Sequence, residues 1–144
     1  MSINQKRIIW ADDELEFLQP HKIFLEKKGF EVVTVNSGED AIDSIQKNNF
    51  DLLLIDEMMT GIDGLTTIKK LRELNVDIPI IMITKNEEEW LMEEAIAGNI
   101  DNFLTKPVNP SQILSACKSV LQSRQIQSEY TSREYIAEFQ RINE

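Results

Sequence analysis

Asp56 follows an unbroken aliphatic run, Leu52-Leu53-Leu54-Ile55, and precedes the turn glycines Gly61 and Gly64. Such a run reads as a strand covered on both faces, and an acid at its carboxyl end stands where open α/β sheets place their ligand sites. Four other residues hold equivalent places: Asp12 and Asp13 after Ile8-Ile9-Trp10-Ala11, Thr84 after an aliphatic run ending at Ile83, and Lys106 after a short run ending at Leu104. Parallel strands end at one edge, so these side chains gather in one crevice. Crowded carboxylates raise one another's pKa unless a cation intervenes, and hard oxygen donors with open positions suit Mg2+. A carboxylate can also attack a phosphoryl group to give an aspartyl phosphate, if positive charge meets the equatorial oxygens. Asp56, at the centre of the sheet, is the nucleophile candidate. Asp13 and Asp12 would hold Mg2+, Lys106 would pair with the phosphoryl oxygens, and Thr84 would donate a hydrogen bond to one of them. A lone strand-end acid is more simply a helix cap or a strand stop, so this chemistry rests on the five residues together.

The elements that must position them alternate along the chain. Strands are expected over 7–11, 30–35, 51–55, 78–83 and 100–104, and helices over 14–28, 65–74, 87–97 and 110–121, with another opened by Asn36-Ser37-Gly38-Glu39 and closed by Asn48-Asn49. Five strand–helix alternations argue an α/β fold with a doubly wound parallel sheet and helices on both faces. In the first helix Phe17, His21 and Phe24 form the expected inward stripe, and Pro20 predicts a kink or a short initial turn. Gly29 and Gly98 end the first and fourth helices, and three acids, Glu87, Glu88 and Glu89, fall in the first turn of the fourth. Beyond residue 122 the apolar fraction drops, yet Ile126, Tyr130, Tyr135, Phe139 and Ile142 keep helical spacing. Residues 5–122 therefore read as one domain, and 123–144 as an amphipathic helical extension, either packed on the domain or a linker toward an output domain.

Composition narrows the function. The 144 residues carry 25 acids against 15 bases, a net charge of −10, which repels phosphate backbones and argues against direct nucleic-acid binding. No apolar run approaches the ~18 residues of a membrane span, and no signal-peptide pattern opens the chain, so the cytoplasm is the expected location. The single cysteine, Cys117, lies in a helical apolar pattern and reads as a buried thiol.

The acidic pair in Ile9-Trp10-Ala11-Asp12-Asp13-Glu14, the strand-end Asp56, Thr84 after Ile-Met-Ile, and Lys106-Pro107 together resemble the receiver domain of two-component response regulators, over about residues 5–122. The resemblance implies a flavodoxin-like sheet of strand order 2-1-3-4-5. It also implies a carbonyl ligand to Mg2+ from Met58, a cis Lys106–Pro107 bond, and a switch aromatic, Phe103, that follows Thr84. The implied function is a phosphoacceptor module, phosphorylated on Asp56 by a histidine kinase, that switches its α4-β5-α5 face and has no independent substrate as an enzyme. Implied partners are the kinase, the chain's own C-terminal output domain, and a second copy of the chain through the switching face. Local wording, including Trp10-Ala11-Asp12-Asp13-Glu14, Gln19-Pro20-His21 and Met82-Ile83-Thr84-Lys85, is similar to PorX-type regulators of Bacteroidetes, which implies a PglZ-like output domain and a link to type IX secretion.

Two positions depart from the receiver pattern. Lys85 replaces the small residue common after the threonine and puts bulk and charge at the mouth of the site. Met58, two residues after Asp56, cannot hydrogen-bond an attacking water, so slow loss of the phosphoryl group is expected. One alternative is a pseudo-receiver, an interaction module whose site does not react. Another is an aspartate-nucleophile phosphatase, which would need a second acid where Met58 stands. His21 reads as a packed histidine, Trp10 as core and a fluorescence reporter, and the glutamates at 87–89, 93 and 94 as a solvated face on which a partner could dock.

Overall fold

Five aliphatic runs pair edge to edge in a computed structural model that describes residues 5–142, except the side chains at 128–136, 138 and 139. The elements in order are β1 (Arg7–Ala11), α1 (Leu15–Lys27), β2 (Glu31–Val35), α2 (Gly38–Lys47), β3 (Leu52–Ile55), α3 (Gly64–Glu73), β4 (Ile80–Thr84), α4 (Glu89–Ala97), β5 (Asn102–Thr105) and α5 (Pro110–Ile142). The sheet has the order β2-β1-β3-β4-β5, and every neighbouring pair is parallel. Leu52 through Ile55 of the central strand are wholly buried, as a strand covered on both faces requires. This is the doubly wound arrangement, with the change of direction between β1 and β3.

Strand alternation divides the core in two. Ile8, Trp10, Leu52, Leu54, Ile81 and Ile83 pack with Leu18 and Leu25 of α1 and with Ile113, Cys117 and Val120 of α5. Ile9, Ala11, Leu53, Ile55, Ile80 and Met82 pack with Ala41 of α2, Ile68 and Leu71 of α3, and Leu91 and Ala95 of α4. Burial pushes the Cys117 thiol up to about 12, which keeps it protonated and inert.

Several local expectations are corrected. Phe17 is 76% exposed and Phe24 only half-buried, whereas Leu18 and Leu25 face the sheet. Both pairs are seven residues apart, so the helical period permits either stripe, and the sheet takes the leucines. Pro20 lies in the second turn of α1, which continues past it to Lys27. Glu88 is an extended cap residue of α4, leaving Glu89 as the acid of its first turn. At the other end of α4 the left-handed residue is Asn99, with φ 59°, and Gly98 keeps a negative φ. Helix α5 runs unbroken through residue 122 to Ile142, with Ile126 and Ile142 exposed; Tyr130, Tyr135 and Phe139 lie outside the described side chains. Among the described residues, no helix is long and apolar enough to cross a membrane.

Candidate functional site

The same alternation sorts the residues just past the strand ends. Continuing β1, Asp12 keeps the parity of Ile8 and Trp10, and Asp13 that of Ile9 and Ala11. Asp56 follows Leu52 and Leu54, and Lys106 follows Leu104, all on the α1–α5 side, while Thr84 follows Ile80 and Met82 on the other. The geometry agrees. Lys106 Nζ donates to Asp12 Oδ2 at 2.8 Å and to Asp56 Oδ2 at 2.9 Å, with Asp12 wholly buried and Asp56 5% exposed. Asp13 stays at the rim, where the Thr60 hydroxyl approaches it at 3.5 Å.

Backbone donors complete the buried acids. Asp12 Oδ1 accepts from the Glu14 N–H at 2.9 Å, and Asp56 Oδ1 accepts from the Met58 N–H at 3.2 Å. Burial nevertheless pushes the Asp12 carboxyl above its ordinary value, with Lys106 and the Glu14 N–H pulling the other way. Burial also opposes charge on Lys106, but its hydrogen bonds to Asp12 and Asp56 outweigh this and raise its pKa. Thr84 is buried, and its Oγ1 accepts from the Asn86 N–H at 3.3 Å, which leaves its O–H proton uncommitted. The Lys106–Pro107 peptide is cis. Phe103 is half-buried on the Met82 side of the sheet, paired in register with Met82 two residues before Thr84.

Asp13, Asp56, Met58, Thr60, Thr84 and Lys85 line one cleft of ≈ 530 Å3. Five carboxylates, Asp13, Glu14, Asp56, Glu57 and Asp63, line this cleft against the one ammonium of Lys85, so it carries excess negative charge. Among the described residues, no group of three or more His, Cys, Asp or Glu side chains is gathered closely enough to hold a metal ion by itself. Two of the lining carboxylates, Asp13 and Asp56, fit Mg2+, which keeps several waters and takes only one or two protein carboxylates. Lys85 pairs with Glu14 across the mouth at 3.8 Å, with its side chain 68% exposed.

The residues read from sequence thus fall into a bonded trio, Asp12, Asp56 and Lys106, and a second rank, Asp13, Thr84 and Met58, on the same cleft. Sequence reading missed the loop that holds them. Glu57 is buried, its Oε1 accepts from the Leu65 N–H at 2.8 Å, and burial raises its pKa. Gly64 permits this fold-back: a Cβ there would lie 2.5 Å from the Asp56 carbonyl oxygen. Glu39 of α2 accepts from the Ile62 N–H at 2.9 Å beside Gly61, whose φ is 85°. Asp63 caps α3 through the Thr66 N–H, and the spacing Asp63-Gly-Leu-Thr66 is the signal that could have shown it.

The family model of the response regulator receiver domain matches residues 8–118. The chain belongs to that family. This receiver is 30% identical over 121 residues to the alkaline phosphatase synthesis transcriptional regulatory protein PhoP of Bacillus subtilis, covering 84% of this chain and 50% of PhoP. It is 32% identical over 118 residues to the transcriptional regulatory protein SrrA of Staphylococcus aureus, covering 82% and 48%. The chain therefore spans about half the length of these relatives. A CheY-like receiver domain protein from Methanospirillum hungatei superposes with a TM-score of 0.82 at 26% identity, over 86% of this chain and 99% of that one. A two-component response regulator from Clostridium difficile gives 0.76 at 31% identity, over 82% and 97%.

On the far side of Lys106 the receiver has a second cleft. Its wall includes Trp10, whose indole N–H is buried without a partner among the described residues, as is His21 Nδ1. Burial, and then Lys106, lower the His21 pKa, which favours the neutral ring. An unsatisfied buried donor costs roughly 1–3 kcal/mol, so the indole is not an arbitrary filler there.

Proposed function

We propose that this receiver takes a phosphoryl group onto Asp56 from a phosphohistidine of a histidine kinase and converts it into a change of the face formed by α4, β5 and α5. The observation that supports the reading is Lys106 Nζ held between Asp12 and Asp56 at the end of the central strand. One oxygen of Asp56 forms the new O–P bond in line as the donor's N–P bond breaks, and the departing imidazole nitrogen keeps that electron pair. Lys106 moves from a purely structural pair to a contact with the phosphoryl oxygens. Asp13 and Asp56, the Met58 carbonyl, and Asp12 from behind them would hold Mg2+, whose charge would let two anions meet. Thr84 offers its uncommitted O–H proton to a phosphoryl oxygen, and its shift gives Phe103, on the same side of the sheet, room to turn inward. Such a device works by shifting a population between two states.

For the output we propose a separate C-terminal unit reached along α5, whose unbroken run past residue 122 supports a helical connector. Similarity to PorX-type wording supports a PglZ-like unit; PhoP and SrrA are transcriptional regulatory proteins, and a DNA-binding unit like theirs is the rival. The net charge of −10 speaks against DNA contact by this segment itself and fits action in the cytoplasm through protein partners, a second copy on α4-β5-α5 included.

Incubation with acetyl phosphate and Mg2+, followed by phosphate-affinity electrophoresis, tests the reading. A slower-migrating species is expected in the native chain and absent in Asp56→Asn; equal uptake by both sinks the assignment. Lys85 across the mouth favours a second reading, an unreactive interaction module. In a Trp90→Phe chain, Trp10 fluorescence that ignores millimolar Mg2+ and beryllofluoride would support that module instead.

A further inference from the structure

The second cleft, between α1 and the turn joining β5 to α5, has a volume of ≈ 390 Å3. That lies within the range of about 300–1,000 Å3 typical of small-molecule sites, which are mostly apolar with a few convergent polar groups. Leu18, Ile83, Val108 and Ile113 supply apolar walls, and Phe17, 76% exposed, stands at the mouth. The Trp10 and His21 rings, with centroids 6.0 Å apart and planes at 54°, make the remaining wall.

The hydrogen-bond accounting points to the occupant's chemistry. Asp12 already accepts from Lys106 and from the Glu14 N–H, and the Glu14 carboxylate faces Lys85. The Asp12 and Glu14 carboxylates are therefore engaged, and the remaining side-chain acceptor of the wall is His21 Nδ1, which has no partner among the described residues and accepts or donates according to the tautomer. Two donors are free as well: the Trp10 indole N–H has no partner among the described residues although Trp10 is 1% exposed, and Lys106 uses two of its three N–H groups on Asp12 and Asp56. Formal charge balances, with Asp12 and Glu14 against Lys85 and Lys106. An anion would meet two carboxylates and a cation two ammonium groups, so a neutral molecule fits best. A water on the indole would satisfy the donor but leave the apolar walls uncovered.

We propose that this cleft binds a small, neutral, largely apolar molecule carrying one carbonyl-type acceptor, which receives the Trp10 indole N–H. The site is separate from the phosphoacceptor cleft, and its occupant would share Lys106 with Asp12 and Asp56. Binding does not depend on chemistry at Asp56, so the two readings fail independently.

Trp90→Phe leaves Trp10 as the sole tryptophan of the chain, and its indole N–H as one resonance in a proton–nitrogen spectrum. The probe is acetophenone, and the control is ethylbenzene, the same skeleton without the acceptor. Acetophenone should move the indole resonance downfield and saturably, together with the amides of Leu18, Val108 and Ile113, and should bind severalfold more tightly than ethylbenzene. Val108→Trp, which fills the cleft, should abolish the shift. Phe17→Ala removes an exposed ring that supports no core, so it tests the mouth in a chain that folds, and should weaken acetophenone severalfold. No saturable indole shift, equal affinity for ethylbenzene, persistence of the shift in a folded Val108→Trp chain, or unchanged affinity in Phe17→Ala overturns the proposal.

Discussion

Two clefts lie on either side of the Lys106–Asp56 pair, and they are opposites. Toward β3, β4 and the start of α3, five carboxylates, Asp13, Glu14, Asp56, Glu57 and Asp63, line the cleft against the one ammonium of Lys85, and the surplus negative charge calls for a cation. Toward α1 and α5, charge is balanced, the walls are apolar, and the surplus is in hydrogen-bond donors. One alternation divides them, since each strand sends successive side chains to opposite faces and the residues past its end inherit that division. Lys106, Asp12 and Asp56 all share the parity of the apolar side, and the exception is Asp56, which lines the polar cleft while Lys106 holds it. A receiver built this way keeps Asp56, the proposed phosphoacceptor, backed by a largely buried ammonium, not by solvent.

Asp56→Asn should separate the clefts most completely. It removes the nucleophile, so phosphoryl uptake from acetyl phosphate falls to background on phosphate-affinity gels. The acetophenone response of Trp10 should remain, and loss of both together would show that the clefts are one cooperative site. Lys106→Met strikes the element they share. It leaves Asp12 and Asp56 buried without their cation, and breaking such a pair costs roughly 3–5 kcal/mol. With the lysine side chain 15% exposed and the acids still held by the Glu14 and Met58 N–H groups, the lower end applies, about 3 kcal/mol in urea unfolding at neutral pH. A loss under about 1 kcal/mol would mean that the trio is solvated and its charges compensated by water.

The polar cleft was legible in the chain and the apolar one was not, for a physical reason. An aliphatic run that stops on an acid marks a strand end, and parallel strands share an edge, so Asp12, Asp13, Asp56, Thr84 and Lys106 could be gathered without coordinates. Which of them touch was also within reach, because Ile8-Trp10-Asp12 and Leu52-Leu54-Asp56 share a parity, but it needs the strand register to be trusted past the last paired residue. The apolar cleft depends on how α1 packs. Phe17/Phe24 and Leu18/Leu25 have the same spacing, and only the sheet decides that the leucines turn inward and leave Phe17 at a mouth. Glu57 escaped notice because an acid beside an acid reads as solvated. It is buried only because Gly64 lets α3 start against the Asp56 carbonyl.

Met58 tests how the polar cleft treats water. Its side chain is 65% exposed and lines the cleft, where a thioether offers an attacking water no useful hydrogen bond. The aspartyl phosphate should therefore persist for minutes or longer, and a half-life of seconds would refute this. Met58→Asn supplies a donor and an acceptor at that place. If it positions the water with one interaction of about 1.4 kcal/mol in the transition state, hydrolysis should quicken about tenfold in a chase after removal of the phosphodonor.

The smallest effect belongs to Lys85, which lines both clefts and pairs with Glu14 at 3.8 Å. Its charge and its bulk act in opposite directions on an incoming anion: the ammonium attracts a phosphodonor, and the chain obstructs it. With 68% of the side chain exposed, the attraction is screened, and an exposed pair of this kind is worth about 0–1 kcal/mol. Obstruction should then prevail. Lys85→Ala should speed uptake from acetyl phosphate, by less than about fivefold on that energy scale, while Lys85→Met, which keeps the bulk and loses the charge, should not speed it at all. If Met accelerates as much as Ala, bulk is not the obstruction, and the Lys85–Glu14 pair across the mouth is what slows entry.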